Sequence, residues 1–200
     1  MHLVSAIEAV NGGSEEGLHS GIPFWEKELD AGYRPTAIGG SDNHDPELPP
    51  DRPGSVGSPT TVVYASELSV NAILAGIRSG RAFVDLTASR DRLLEFTAQD
   101  DATKAVMGET LSARLADMVS LSTHVLACQG SSVRILIDGK ENIGTPVAIR
   151  SPDQTVTAQW QSDGKQHWLR ADLVSESGKL QLLGNPIYIN FSASAAKLRR

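Results

Sequence analysis

Apolar and polar positions keep two different rhythms along this chain, one up to about residue 88 and another beyond it. In the first stretch, short apolar runs alternate with helical stripes. Residues 3–10 are apolar and carry β-branched side chains, and Asn11-Gly12-Gly13 stops them as a turn, which predicts a buried strand. From Ser20 to Ala31 the apolar residues Ile22, Trp25 and Leu29 fall at helical spacing, with Ser20 placed to cap the start and Gly32 to close the end. Thr36-Ala37-Ile38 leads into a glycine pair, a proline-rich loop follows from Pro46 to Pro59, and residues 60–65 predict another buried strand. Ser69 is placed to cap a helix whose stripe of Val70, Ile73, Leu74 and Ile77 ends at Gly80. Strand, helix, strand, loop, strand, helix is the order of an α/β layer or barrel.

After Phe83-Val84 the rhythm shortens to two. Residues 93–97, 119–125, 133–137, 155–160, 168–174 and 186–191 are short β-rich runs, separated by turn residues that include Asp138-Gly139, Asp163-Gly164 and Ser177-Gly178, all hairpin signals. Val119, Leu121, Thr123 and Val125 share one face while Ser120, Ser122 and His124 share the other, as a half-buried antiparallel strand requires. This predicts two units, residues 1–88 and an antiparallel β-sandwich over residues 89–200, packed together with no flexible linker.

Composition narrows the field. A chain of 200 residues that is 40% hydrophobic can bury an ordinary core. Its net charge of -6, with no basic stripe beyond the final Lys197-Leu198-Arg199-Arg200, argues against a nucleic-acid partner. The single cysteine, Cys128, excludes an intrachain disulfide and a cysteine-rich metal site, and reads as a small core or turn residue. No apolar run approaches the roughly 20 residues of a membrane span, so no membrane partner is expected. No basic segment followed by an apolar stretch opens the chain; residues 1–4 read as the approach to a strand already inside a fold.

Chemistry concentrates in Gly40-Ser41-Asp42-Asn43-His44. In an extended segment Asp42 and His44 project to the same side, at the end of an apolar run where α/β folds gather ligands. A carboxylate with an imidazole suits zinc, manganese or iron rather than calcium, and a divalent metal held there would activate water against an ester or phosphoryl oxygen. A hydrolytic centre needs at least three protein ligands, and no second dense cluster of His, Asp or Glu occurs. The pair alone therefore marks part of a site, or else an exposed loop shaped by Asx-turns.

Residues 36–45 resemble the last metal-binding motif of the polymerase-and-histidinol-phosphatase (PHP) family of metal-dependent hydrolases. The likeness extends through Ile7-Glu8-Ala9-Val10-Asn11-Gly12, Phe24-Trp25-Glu26-Lys27, Gly57-Ser58-Pro59-Thr60-Thr61-Val62-Val63-Tyr64-Ala65 and residues 72–84. Met107-Gly108-Glu109-Thr110-Leu111, Trp168-Leu169-Arg170 and Asn185-Pro186-Ile187-Tyr188-Ile189 resemble its carbaryl-hydrolase-like branch, in which a sandwich follows the barrel. The resemblance implies an α/β plus all-β fold, the C-terminal part of a distorted (β/α)7 barrel followed by the sandwich. It implies Asp42 and His44 as metal ligands, with the family's His-x-His and middle ligands lying before this chain starts.

Around that site Glu8, Asn11 and His19 are second-shell candidates; the plainer readings are a paired carboxylate, a turn residue and a surface histidine. His2 reads as a strand-edge residue, and His124 and His167 as sheet-face residues. Arg78 and Arg81 are placed for an anionic substrate or for the end of a helix dipole. Trp160 and Trp168 offer either a sugar platform or one core and one edge aromatic. The expectation is the C-terminal portion of a metal-dependent phosphoesterase acting on a small-molecule ester or phosphoester, inactive as an isolated chain and prone to self-association through its open barrel. The alternative is a non-catalytic β-sandwich module that binds carbohydrate or a protein partner.

Overall fold

In the computed structural model, residues 4–12, 20–50, 52, 54–141 and 144–191 are described. The chain runs through β1 (Ala6–Asn11), α1 (Ile22–Asp30), β2 (Thr36–Gly40), β3 (Thr60–Val63), α2 (Val70–Arg78), β4 (Ala82–Asp85), β5 (Leu93–Gln99), β6 (Lys104–Val106) and β7 (Thr110–Leu111). It continues through β8 (Leu115–Leu126), β9 (Ser131–Ile137), β10 (Lys140–Glu141), β11 (Val147–Ala148), β12 (Asp153–Asp163), β13 (His167–Ser175), β14 (Leu180–Gly184) and β15 (Ile187–Ile189).

Period-two alternation builds a sandwich. A four-stranded sheet, β12-β8-β5-β6, faces a nine-stranded sheet whose main path is β10-β9-β13-β14-β4-β3. Leu94, Phe96, Leu121 and Val125 of the first meet Ile135, Leu169, Leu173 and Leu182 of the second in one buried cluster. Each such leucine removed from water contributes about 1.5–3 kcal/mol, so this interior is the main source of cohesion. The six runs of alternating character expected beyond Val84 are β5, β8, β9, β12, β13 and β15. Asp138 and Gly139 both have positive φ, which gives the tight turn that sets β10 on β9. Ser177-Gly178 closes the β13–β14 hairpin, whereas Asp163-Gly164 carries the chain from one sheet to the other.

The barrel expected over residues 1–88 is corrected. Among the described residues there are two helices, and within residues 1–88 only β1 and β2 form a parallel pair; the other parallel pair, β7 with β15, lies in the sandwich. β3 and β4 are antiparallel, with Thr60 opposite Asp85, and β4 pairs with β14, so both strands belong to the sandwich sheet. Alternation of strand and helix specifies order but not strand direction. Here α2 sits inside a hairpin loop that is closed by Tyr64 N–H donating to the Arg81 carbonyl at 2.9 Å.

What remains of the α/β portion is a third layer on the outer face of the nine-stranded sheet. Ala9, Val10, Trp25, Leu29 and Ala37 pack there against Val84, Trp168, Leu183 and Tyr188. β13 is thereby buried on both faces, with Leu169, Ala171 and Leu173 toward the sandwich and Trp168, Arg170 and Asp172 under the outer layer. Arg170 pairs with Asp172 at 3.0 Å and with Glu26 of α1 at 2.9 Å, its guanidinium lying over the rings of Trp25 and Trp168. Asn185 ties β2 down: it accepts from Ala37 N–H at 2.7 Å and donates to the Ala37 and Ala82 carbonyls.

Candidate functional site

β1 and β2 end side by side, with Asn11 opposite Gly40, and the segment after β2 carries the predicted metal pair. Asp42 takes a positive φ of 50° and sets its carboxylate 3.2 Å from His44 Nε2. Both side chains face solvent, at 56% and 86% exposure. The Asx-turn geometry read from the sequence belongs to their neighbours: Asn43 Oδ1 accepts from Asp45 N–H, and Asp45 Oδ1 from Glu47 N–H. Asn11 donates to Glu8 at 3.4 Å, and a Cβ on Gly40 would lie 2.4 Å from Glu8 Oε1, so glycine there makes room for the carboxylate. The predicted site residues thus form two pairs, Asp42 with His44 and Glu8 with Asn11; His2 and His19 lie outside the described residues.

Two other histidines are more tightly held. On the outer face of the four-stranded sheet, His124 Nδ1 lies 2.9 Å from Glu95 and Nε2 lies 3.0 Å from Asp153, joining β5, β8 and β12. His167 is bracketed in the same way by Asp138 and Asp163. Only an imidazolium can donate from both nitrogens, so this arrangement favours the protonated ring. The Glu95 hydrogen bond is the largest influence raising the His124 pKa above its ordinary 6.5. For His167, burial works against the charge, but the bonds to Asp138 and Asp163 outweigh it and the pKa again rises. The Asp163 carboxyl is held down to about 2, first by the Lys165 backbone N–H and then by His167.

A histidine whose pKa is raised on folding contributes stability that is complete below the unfolded value of about 6.5 and is lost as pH rises through the folded value. The melting temperature is therefore expected to fall as pH rises above about 6.5, and the fall should shrink in His124→Asn and His167→Asn, as measured by scanning calorimetry across pH. A profile unchanged by both substitutions would remove the histidines from this role.

The least satisfied surface lies along α2 and β3. β3 ends the sheet path, with no further strand hydrogen-bonded to its outer edge among the described residues. α2 is capped as expected, Ser69 Oγ accepting from Ala72 N–H, and Gly76 fits against Val63 where a Cβ would come within 2.6 Å. Yet its apolar stripe is largely uncovered. Val70 is 73% exposed, Leu74 is 39% exposed, and Leu68, placed to staple onto Ile73, is 97% exposed. Thr61, Val63, Ala65, Leu68 and Ile73 line a groove of about 440 Å³ whose only charged lining residue, among the described residues, is Glu67. Nothing in the order of residues marks this exposure, because an amphipathic stripe reads the same whether or not something covers it.

The tryptophans do not make a platform. Trp168 is 2% exposed and donates from Nε1 to Asp30, and Trp160 meets the His167 ring edge-on at 5.3 Å.

No known protein family matches the chain, and no curated protein does. Among solved structures, the chain is similar to the solution NMR structure of a CARDB domain from Pyrococcus furiosus, with 10% identity and a TM-score of 0.27 over 48% of this chain and 94% of that one. A likeness that slight carries nothing over to this chain.

The resemblance to PHP hydrolases is corrected accordingly. The absence of a family match and the sheet-dominated fold overturn it, and with it the phosphoesterase reading. Among the described residues no group of three or more His, Cys, Asp or Glu side chains is arranged to hold a metal ion, so the expected zinc or manganese centre has no complete ligand set there. The histidine brackets illustrate the reason, since their carboxylates sit on opposite ring nitrogens and cannot converge with the ring on one ion.

Proposed function

We propose that this chain is a non-catalytic binding module, a β-sandwich that docks a protein partner along α2 and the edge strand β3. One observation carries this reading: a sheet edge unpaired among the described residues and a groove of about 440 Å³ lie beside three apolar side chains left open to water, Leu68, Val70 and Leu74. An edge strand offers backbone donors and acceptors to an extended segment, and the groove beside it receives alternate apolar side chains. Contiguous apolar surface of this kind marks interaction sites on soluble proteins. The partner is thus one that contributes an extended, apolar, weakly charged segment. Carbohydrate fits less well, because both tryptophan rings are engaged within the protein.

Selection from a displayed random-peptide library should enrich extended sequences rich in β-branched and aromatic residues. Leu68→Glu with Leu74→Glu should abolish capture while leaving the melting temperature within about 1 °C, since both side chains are exposed. If sedimentation also rises with concentration, and the same substitutions reverse it, the partner is a second copy of this chain. Capture that survives the double substitution, or capture of soluble glycans in place of peptides, would overturn the reading.

A further inference from the structure

The inner side of the β3–β4 edge holds a smaller site that the docking surface does not use. β6 pairs with β5 only from Thr97 to Gln99, so among the described residues no strand lies beside β5 on that side before Thr97. A gap opens there between the two sheets. Tyr64 closes one end of it, its hydroxyl donating to the Leu94 carbonyl at 2.5 Å. Tyr64, Arg81, Phe96, Lys104, Val106 and Met107 are among the residues lining the resulting cavity of about 160 Å³.

Its walls differ in character. Phe96 and Met107 are buried apolar side chains, while Arg81 and Lys104 bring two positive charges from exposed positions on β4's lead-in and on β6. The ion-pair partner of Arg81, Glu109, is 3.9 Å away, and Lys104 is in no ion pair among the described residues. Glu95 also borders the cavity, and its Oε2 lies 2.9 Å from His124, a ring it shares with Asp153. Among the lining residues Arg81 and Lys104 stand against Glu95, two cations to one carboxylate, which leaves one net positive charge beside an apolar wall.

We infer that this cavity binds a small amphipathic organic anion, a short-chain monocarboxylate, with its carboxylate between Arg81 and Lys104 and its alkyl chain on Phe96 and Met107. A cavity of about 160 Å³ is close to the roughly 150 Å³ of an apolar cavity that admits benzene, a size that also suits a four-carbon acid. A guanidinium and an ammonium give the carboxylate charge-assisted hydrogen bonds, and the apolar wall selects against a fully hydrated inorganic anion.

The test is a titration of the full chain with sodium butyrate at constant ionic strength, followed by the backbone amide signals of Thr97 and Val106 in NMR spectra. Saturable shifts at these positions are expected, and Arg81→Ala or Lys104→Ala should each weaken binding about tenfold. Both residues are exposed, so the rest of the spectrum should not move. Butylamine and inorganic phosphate should give no saturable shift. Butyrate shifts that never saturate, affinity unchanged in both variants, or equal binding of either control compound would each overturn the assignment.

Discussion

Asp172→Ala should lower the stability of the folded chain by about 3–5 kcal/mol, read as a fall in the urea midpoint with an unchanged denaturant slope. Asp172 is fully buried on β13, under the outer layer. Its carboxylate accepts from Arg170 Nε at 3.0 Å, from Arg134 Nη2 at 3.4 Å and from the Gly184 backbone N–H at 3.2 Å. Alanine would leave two guanidiniums facing each other, and Arg170, 3% exposed, has no water to take over the lost bond, while Arg134 is only partly exposed. Glu26 would compensate only Arg170, and Glu141 stands 3.9 Å from Arg134. The cost comes mostly from stranding charge rather than from losing an attractive pair. A double variant, Asp172→Leu with Arg170→Met, should therefore be more stable than Asp172→Ala alone. If it is less stable, the electrostatic account of this site is wrong and packing of the guanidinium between Trp25 and Trp168 is the larger effect.

Asn185→Ala should cost about 3 kcal/mol and act on a different part of the molecule. The Asn185 side-chain amide is a substitute peptide group, holding both the N–H and the carbonyl of Ala37 and also the Ala82 carbonyl. Removing it leaves three buried backbone groups without these bonds, each worth about 1–3 kcal/mol when unsatisfied, partly relieved because β2 can lift toward water. Local release is therefore expected before global unfolding. Hydrogen exchange at the Ala37 amide should accelerate strongly, and Trp25, whose Nε1 donates to the Pro35 carbonyl, should report the loosening by fluorescence. Exchange at Ala37 that stays slow would mean that the Trp25 and Leu29 packing alone holds the layer.

These two residues show where sequence was informative and where it fell silent. Strands such as β8 are legible because one face is solvated, so polar and apolar residues alternate in print as they do in space. The two helices are legible from Ser69, Gly32 and Gly80, which end them through local backbone chemistry. β13 hides its architecture: with both faces covered it reads as an ordinary sandwich strand, and Arg170 and Asp172 look like surface charges. The directions of β3 and β4 depend on pairing with β14, roughly a hundred residues away in sequence, which no local pattern records. The proximity of Asp42 and His44 is local and was readable. The Glu95 and Asp153 partners of His124 lie 29 residues to either side and were not. Arg81 stood out as a cation, but Lys104 joins it only once β6 folds beside β5.

The double-faced strand also sets limits on how this chain can vary in length. Inserting or deleting one residue within β13 would exchange Leu169, Ala171 and Leu173 with Trp168, Arg170 and Asp172, turning charge into the oily interior and aliphatic groups onto a charged seam. The exposed bend at Ser177-Gly178 can absorb such changes, whereas the bend at Asp138-Gly139 is tied to β13, Asp138 accepting from the Trp168 backbone N–H and holding His167. Drift in this sequence is thus confined to its untied bends, while its central ribbon must keep an exact count of residues.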